Sequence, residues 1–107
     1  MSAMPLKDEV LATLRHRLED LYGDRLARVV LYGSRARGDW HAESDYYVAV
    51  FLKDLVDWHR ELNKLADLRV ELFDRTGEFL EARSYHISEW NQRTALMGEI
   101  RRDGIDL

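Results

Sequence analysis

Cysteine is absent from this chain, and proline occurs once among its 107 residues. Without thiols the protein has neither a disulfide framework nor a thiolate metal site, which is typical of a reducing cytoplasm. No apolar run approaches the roughly 20 residues that a membrane-spanning helix needs, and the N-terminus lacks the basic and apolar regions of a signal peptide. We therefore expect a cytoplasmic protein that does not bind membranes.

An excess of positive charge is also missing, because the formal net charge is −4. Proteins that bind nucleic acids usually present a basic surface, so nucleic acid is not expected as the main partner. Arg35 and Arg37 nevertheless lie close together in the sequence, and such a pair suffices for a small anionic ligand such as a nucleoside triphosphate. At this length we expect a single domain, residues 1–107.

The spacing of apolar residues predicts an α+β fold. Three- and four-residue spacing favours helices at Pro5–Tyr22 and Leu55–Ala66, and a last helix is expected to begin at Ser88, to direct Trp90, Met97 and Ile100 toward the core and to end at Gly104. Apolar runs and alternation predict strands at Arg28–Tyr32, Asp45–Leu52, Leu68–Phe73 and Phe79–Tyr85, the last two pairing across a turn. The expected sheet is small, mixed and mostly antiparallel, with about four strands and helices packed on it.

A glycine-serine turn follows the first predicted strand. Gly33 and Ser34 lead into a short predicted helix that ends at Gly38, and such a helix start presents backbone N–H groups to an anion. Arg35 and Arg37 could add charge-assisted bonds to a triphosphate. The alternative is an ordinary β-turn with solvated arginines. A P-loop is excluded, because Asp39 and the residue after it occupy the places of its lysine and serine or threonine.

Ten residues separate Ser34 from Asp45, which opens the second predicted strand. The pattern of Gly-Ser, ten residues and Asp-x-Asp resembles the nucleotidyltransferase superfamily, and in particular its minimal bacterial members. The likeness extends over most of the chain, including the ending Ile100–Ile105. One position departs from the pattern, because Tyr47 stands where the family carries its second aspartate.

The resemblance implies ATP as a substrate and a divalent metal, Mg²⁺, held by carboxylates. Asp45 and position 47 share one face of a strand, so both would face the glycine turn. The third carboxylate of the family lies between apolar residues on a neighbouring strand. Glu71 fits that setting between Val70 and Leu72, and Asp74 is the alternative. These assignments make Asp45 and Glu71 the candidate catalytic metal ligands.

Tyr47 places the activity in question. A phenol with an ordinary pKa of about 10 is neutral at physiological pH and is a poor ligand for Mg²⁺, which requires hard oxygen donors. We therefore expect reduced activity. Since Gly33, Ser34 and Asp45 are all retained, a single substitution in an otherwise intact site is a further interpretation.

The resemblance also implies a partner protein. Bacterial minimal nucleotidyltransferases often serve as antitoxins to a helical toxin of the HEPN class, and some transfer AMP from ATP to a tyrosine of that toxin. Two functions are therefore open: an AMP transferase impaired at Tyr47, or a non-catalytic antitoxin that neutralises its partner by direct contact. Because the chain is short, a partner subunit is expected to complete the cleft, and either a homo-oligomer or a hetero-oligomer is compatible with the sequence.

Overall fold

The computed structural model describes residues 9–41 and 44–107. It is an α+β fold whose elements follow one another in this order: helix α1 (Glu9–Tyr22), a 3₁₀ turn (Gly23–Arg25), strand β1 (Leu26–Tyr32), helix α2 (Ser34–Arg37), strand β2 (Tyr46–Leu52), helix α3 (Trp58–Thr76), strand β3 (Leu80–His86), a second 3₁₀ turn (Ile87–Asn91), helix α4 (Ala95–Asp103) and strand β4 (Ile105–Asp106). The expected start of the first helix, at Pro5, lies outside the described residues.

The four strands form one mixed sheet in the order β3-β2-β1-β4. Strand β1 runs antiparallel to both β2 and β4, whereas β2 and β3 are parallel. A parallel pair needs a long crossover, and the 19-residue helix α3 provides it. The mixed, mostly antiparallel sheet that the sequence predicted is confirmed.

The two faces of the sheet bury separate sets of side chains. One face packs against α1 and α3 and contains the larger core: Val10, Leu11, Leu14, Leu18, Tyr22, Val29, Leu31, Tyr46, Val48, Val50, Leu52, Leu65, Leu68, Leu72, Leu80 and Ala82. The other face carries a smaller cluster around Ala49 and Phe51, which α4 covers with Met97 and Ile100. Since successive residues of β2 face opposite sides, Tyr46 lies in the larger core and Tyr47 on the face that carries the smaller cluster.

The strand predicted at Leu68–Phe73 is wrong, because this segment is part of α3. Leu68 and Leu72 are buried at helical spacing, whereas Val70, which alternation placed with them, is 63% exposed. No glycine or proline stands between the predicted helix and the predicted strand, so the helix continues until Gly77 ends it in the left-handed conformation. The strand at Phe79–Tyr85 therefore pairs with β2, and not with a hairpin partner.

The last helix also begins later than expected. Ser88 and Trp90 lie in the second 3₁₀ turn, and α4 is capped by the side chain of Thr94, which accepts a hydrogen bond from the backbone N–H of Met97. Met97 and Ile100 are buried as predicted, and Gly104 follows the helix. The short strand β4 comes after it and was not expected. Within the described part of the chain, no helix is long and apolar enough to span a membrane.

A buried carboxylate joins α3 to the start of β1. The side chain of Glu61 is 3% exposed, and its Oε2 accepts a hydrogen bond of 2.6 Å from Arg25, with the Lys64 ammonium 3.6 Å from its other oxygen. Tyr22 lies beside this group, and burial together with the charge of Glu61 raises the pKa of Tyr22 to about 12. The two cations compensate a carboxylate that would otherwise be costly to bury.

We expect Arg25→Met to lower the free energy of unfolding by about 3 kcal/mol, because it leaves the buried Glu61 carboxylate with Lys64 alone. Urea denaturation followed by circular dichroism measures the change. Arg102→Met is the matched control, since the ion pair of Arg102 with Asp103 is largely exposed on the arginine side and should contribute less than about 1 kcal/mol. Equal losses in the two variants would contradict a structural role for the buried pair.

Candidate functional site at the glycine turn

The turn predicted from Gly33 and Ser34 lies where β1 ends. Gly33 has a φ of 80°, a conformation that residues with a side chain rarely adopt. Its carbonyl accepts hydrogen bonds of 3.1 Å from the backbone N–H groups of Ala36 and Arg37, which fixes the start of α2. The expected strand, turn and short helix are therefore present, and the turn lies at the end of the sheet where β2 begins.

Tyr47 lies directly against this turn. In the β1–β2 pair, Tyr32 is the register partner of Tyr47, and their ring centroids are 5.8 Å apart. A Cβ atom built on Gly33 would lie 3.2 Å from Cδ2 of the Tyr47 ring. Glycine is thus needed here for two reasons, its positive φ and the closeness of this ring. The phenol fills space beside the turn that a shorter aspartate would leave open.

The carboxylate nearest to Tyr47 in register comes from β3. Glu81 is the direct partner of Tyr47 in the parallel β2–β3 pair. Asp45 lies in the same segment as Tyr47, immediately before β2 begins. Glu81 lies between Leu80 and Ala82, which is the apolar-acid-apolar setting expected for the third carboxylate, whereas the segment around Glu71 is helical. The sequence signal that could have identified Glu81 is the three- and four-residue spacing of Leu65, Leu68 and Leu72. This spacing extends the helix past Ala66 and leaves β3 as the strand that follows the crossover.

Glu71, the predicted third carboxylate, lies on α3 and forms an ion pair elsewhere. Its two oxygens accept hydrogen bonds of 2.9 and 3.1 Å from Arg17 of α1, and these bonds hold the pKa of Glu71 below its ordinary value. The alternative, Asp74, is exposed on the same helix. The strand setting on which both assignments depended is absent, and the arginine pair gives Glu71 a structural role between two helices.

The two arginines of the turn differ in their environments. The Arg35 side chain is only 8% exposed; its Nε donates to the Ser44 carbonyl at 3.0 Å, and its guanidinium lies 3.9 Å from the centre of the Tyr46 ring. Arg35 therefore anchors the segment before β2, and its geometry does not favour the predicted contact with a phosphate. Arg37 is 40% exposed and forms long ion pairs with Asp39 and Glu99, so it can still approach a ligand.

Tyrosines and Arg83 line the sheet beyond the turn. Burial, together with the nearby Tyr85 and Glu99, raises the pKa of Tyr32 to about 12, although Arg83 opposes the shift. Among the described residues Arg83 forms no ion pair, and it follows Glu81 by two positions on β3. The face is therefore built from neutral phenols flanked by separate charges, and not from a group of carboxylates.

The donor set does not fit a two-metal site. Over residues 9–41 and 44–107, no group of three or more His, Cys, Asp or Glu side chains could hold a metal ion. Tyr47 stands two residues after Asp45 and in register with Glu81, where the family pattern has a second aspartate, and Mg²⁺ prefers several hard oxygen ligands in near-octahedral geometry. The Mg²⁺ that the sequence pattern implied is thus not matched by the described residues.

Residues 18–106 match the polymerase beta nucleotidyltransferase family. The chain belongs to this family. A protein of Methanocaldococcus jannaschii that is named for protein adenylyltransferase activity is 36% identical over 47 residues, which are 44% of this chain and 48% of that protein. The chain therefore spans about half the length of this relative.

Solved structures show the same fold. A toxin–antitoxin structure with AMP-PNP superposes with a TM-score of 0.63 at 19% identity, over 88% of this chain and 69% of the other. Two mutants of the MntA-HpeT toxin–antitoxin superpose with TM-scores of 0.62, at 18% and 20% identity, over 88% and 90% of this chain and 69% and 70% of theirs. At these identities the likeness concerns the fold alone.

We expect Arg35→Met to destabilise the protein by about 2 kcal/mol, because the substitution removes a charge-assisted hydrogen bond to the Ser44 carbonyl and a cation–π contact with Tyr46. Arg37→Met, at an exposed position of the same helix, should cost less than about 1 kcal/mol. Thermal unfolding of both variants measures the difference. If Arg37→Met were the more destabilising substitution, the anchoring role of Arg35 would be wrong.

Proposed function

We propose that this protein is an antitoxin-type member of the nucleotidyltransferase family that acts by binding a partner protein, with metal-dependent AMP transfer blocked at Tyr47. The observation that carries the proposal is the contact between the Tyr47 ring and the glycine turn. This contact fills the space beside Gly33 and leaves Asp45 and Glu81 without the second aspartate between them. A partner of the HEPN toxin class is the one that the sequence resemblance suggests.

The comparisons support a function that involves a partner protein, but they do not identify that partner. The structures with the same fold come from toxin–antitoxin systems, one of them with AMP-PNP, and the relative from Methanocaldococcus jannaschii is named for protein adenylyltransferase activity. Binding to a partner needs only a preserved fold and surface. It therefore tolerates the loss of a metal ligand, which AMP transfer does not.

The second candidate is AMP transfer from ATP to a tyrosine hydroxyl of the partner. In this reaction the hydroxyl oxygen forms a bond to the α-phosphorus, the bond to the bridging oxygen breaks, and pyrophosphate leaves while the hydroxyl proton is lost. The retained turn of Gly33 and Ser34, together with Asp45 and Glu81, favours this reaction as the ancestral activity. We propose that Tyr47 reduces it strongly in this chain.

Calorimetric titration with ATP, in the presence and absence of Mg²⁺, tests the blocked site. We expect no Mg²⁺-dependent binding to the unmodified chain, since the phenol supplies no anionic ligand. Tyr47→Asp should bind ATP at least about tenfold more tightly with Mg²⁺ than without it, because it removes the ring and adds a hard oxygen donor.

Tyr47→Phe is the control, because it keeps the ring and removes only the hydroxyl group. It should behave as the unmodified chain does. If the unmodified chain and Tyr47→Asp showed the same Mg²⁺ dependence, position 47 would not govern metal binding, and the proposed block would be wrong.

Incubation with a purified HEPN-class partner and Mg·ATP separates the two functions. We expect the unmodified chain to form a complex while the mass of the partner stays constant, and Tyr47→Asp to add AMP to the partner. Size-exclusion chromatography detects the complex, and intact-mass spectrometry detects the adduct. An AMP adduct formed equally by both proteins would favour the enzyme, and absence of a complex would contradict the binding role.

A further inference from the structure

A cavity lies where the end of β3 meets the start of α3, and we call it the β3-end cavity. Its volume is about 300 Å³, a size at which cavities in proteins begin to bind small molecules. Its walls come from the segment before α3, the first turns of α3, the last residues of β3 and the second 3₁₀ turn. Ser84, which lines it, lies about 10 Å along β3 from Glu81, so the cavity is separate from the glycine turn.

One part of the β3-end cavity is apolar. Trp58, in the first turn of α3, is 56% exposed, and Leu62 follows it one turn later on the same face of the helix. Leu55 is half-buried and packs against the larger core. The ring of Tyr85 is held in place by Phe51, with 5.6 Å between the ring centroids. These walls can enclose an aromatic or a branched aliphatic group.

Ser84 contributes a hydroxyl group that is available to a ligand. Ser84 is only 7% exposed, and over residues 9–41 and 44–107 its side chain forms no hydrogen bond. Among the described residues, the fully enclosed side-chain oxygen atoms without a hydrogen bond are those of Tyr22 and Glu61, so the Ser84 hydroxyl retains contact with solvent. Because Ser84 lines the cavity, this contact is made there. Buried polar groups are normally hydrogen-bonded, so this hydroxyl calls for a partner.

Arg83 and Glu89 bring opposite charges to the same cavity. Neither forms an ion pair, with the other or with any group in the part of the chain that the structure describes. Burial raises the pKa of Tyr85, Arg83 opposes this shift and Glu89 adds to it, so both charges act at the Tyr85 hydroxyl. The Glu89 Oε2 accepts a hydrogen bond of 2.8 Å from the backbone N–H of His86, which fixes the carboxylate. A cation and an anion that are not paired with each other are complementary to a ligand that carries both charges.

We propose that the β3-end cavity binds a free α-amino acid with an apolar side chain. The carboxylate of the ligand accepts hydrogen bonds from the Arg83 guanidinium and the Ser84 hydroxyl, and its ammonium donates to Glu89. The aromatic or branched aliphatic side chain of the ligand packs between Trp58 and Leu62. This arrangement gives a partner to every polar side chain that lines the cavity and covers the exposed indole.

The two charges disfavour ligands that carry only one. A carboxylic acid without an amino group would leave Glu89 unpaired and bring a second anion toward it, and an amine without a carboxylate would do the same at Arg83. A nucleoside triphosphate carries several negative charges, all of which Glu89 opposes. The ligand class is therefore a zwitterion. The inference rests on this cavity alone and stands whether or not the chain transfers AMP or binds a partner protein.

Calorimetric titration with L-phenylalanine tests the proposal. We expect saturable binding with a dissociation constant below about 1 mM. 3-Phenylpropanoate, which lacks the ammonium, and 2-phenylethylamine, which lacks the carboxylate, should each bind at least about tenfold more weakly, because each leaves one charge of the cavity unpaired.

Matched variants assign each charge of the ligand to its residue. Arg83→Met should weaken binding of L-phenylalanine at least about tenfold and leave the binding of 2-phenylethylamine no weaker. Glu89→Gln should weaken L-phenylalanine similarly and leave 3-phenylpropanoate no weaker; glutamine keeps an acceptor for the N–H of His86. Arg93→Met, at an exposed loop position, is the control and should bind L-phenylalanine as the unmodified chain does.

Nuclear magnetic resonance locates the bound ligand. The chain has three tryptophans, and each gives a separate indole N–H signal. Titration with L-phenylalanine should shift the signal of Trp58, which Trp58→Phe identifies by removing it. Trp40 lies beside Arg35, 4.6 Å from its guanidinium, and its signal should stay in place.

Three results would overturn the proposal. The first is the absence of saturable binding of L-phenylalanine up to about 10 mM. The second is equal binding of L-phenylalanine and its two singly charged analogues, which would mean that Arg83 and Glu89 do not recognise the ligand. The third is an equal shift of the Trp40 and Trp58 signals, which would indicate non-specific contact with exposed aromatic rings.

Discussion

The antiparallel pairing of β1 with β2 is the constraint on which the site depends. It runs in register from Val29 with Val50 to Tyr32 with Tyr47, so the end of one strand and the start of the other are fixed together. The glycine turn and Asp45 therefore lie at the same end of the sheet, although ten residues separate Ser34 from Asp45. A shift of one residue in this pairing would reverse the faces of β2 and bury Tyr47 in the larger core.

The same pairing places position 47 against the glycine turn. A side chain there must share its space with Gly33, whose φ of 80° and missing Cβ let the backbone pass close to the neighbouring strand. An aspartate would project a short anion into this space, whereas tyrosine fills it with an apolar ring. Position 47 is 38% exposed, so an exchange of its side chain does not open a cavity in the buried core.

The sequence predicted local features well and failed where an assignment depended on long-range pairing. The glycine turn, Asp45 and the inward side chain of Tyr46 follow from adjacent residues and a two-residue period. The third carboxylate does not, because it depends on which segment crosses over to lie beside β2. Glu71 and Glu81 have the same apolar-acid-apolar neighbours, and only the burial of Leu68 and Leu72 at helical spacing shows that the first belongs to α3. The environment of Arg35 could not be predicted for a similar reason, since a sequence does not show that its guanidinium contacts Tyr46 and Ser44.

A metal site requires carboxylates whose charge is not already compensated by the protein. Here the charge of Glu81 is met by Arg69 at 3.2 Å. At position 47 a phenol stands where the family pattern has a second aspartate. Arg69 and the phenol therefore act in the same direction, because both lower the electrostatic need for a cation between Asp45 and Glu81. Restoring a carboxylate at position 47 would raise that need again, and this is the physical basis of the proposal that position 47 decides whether the protein also holds Mg·ATP.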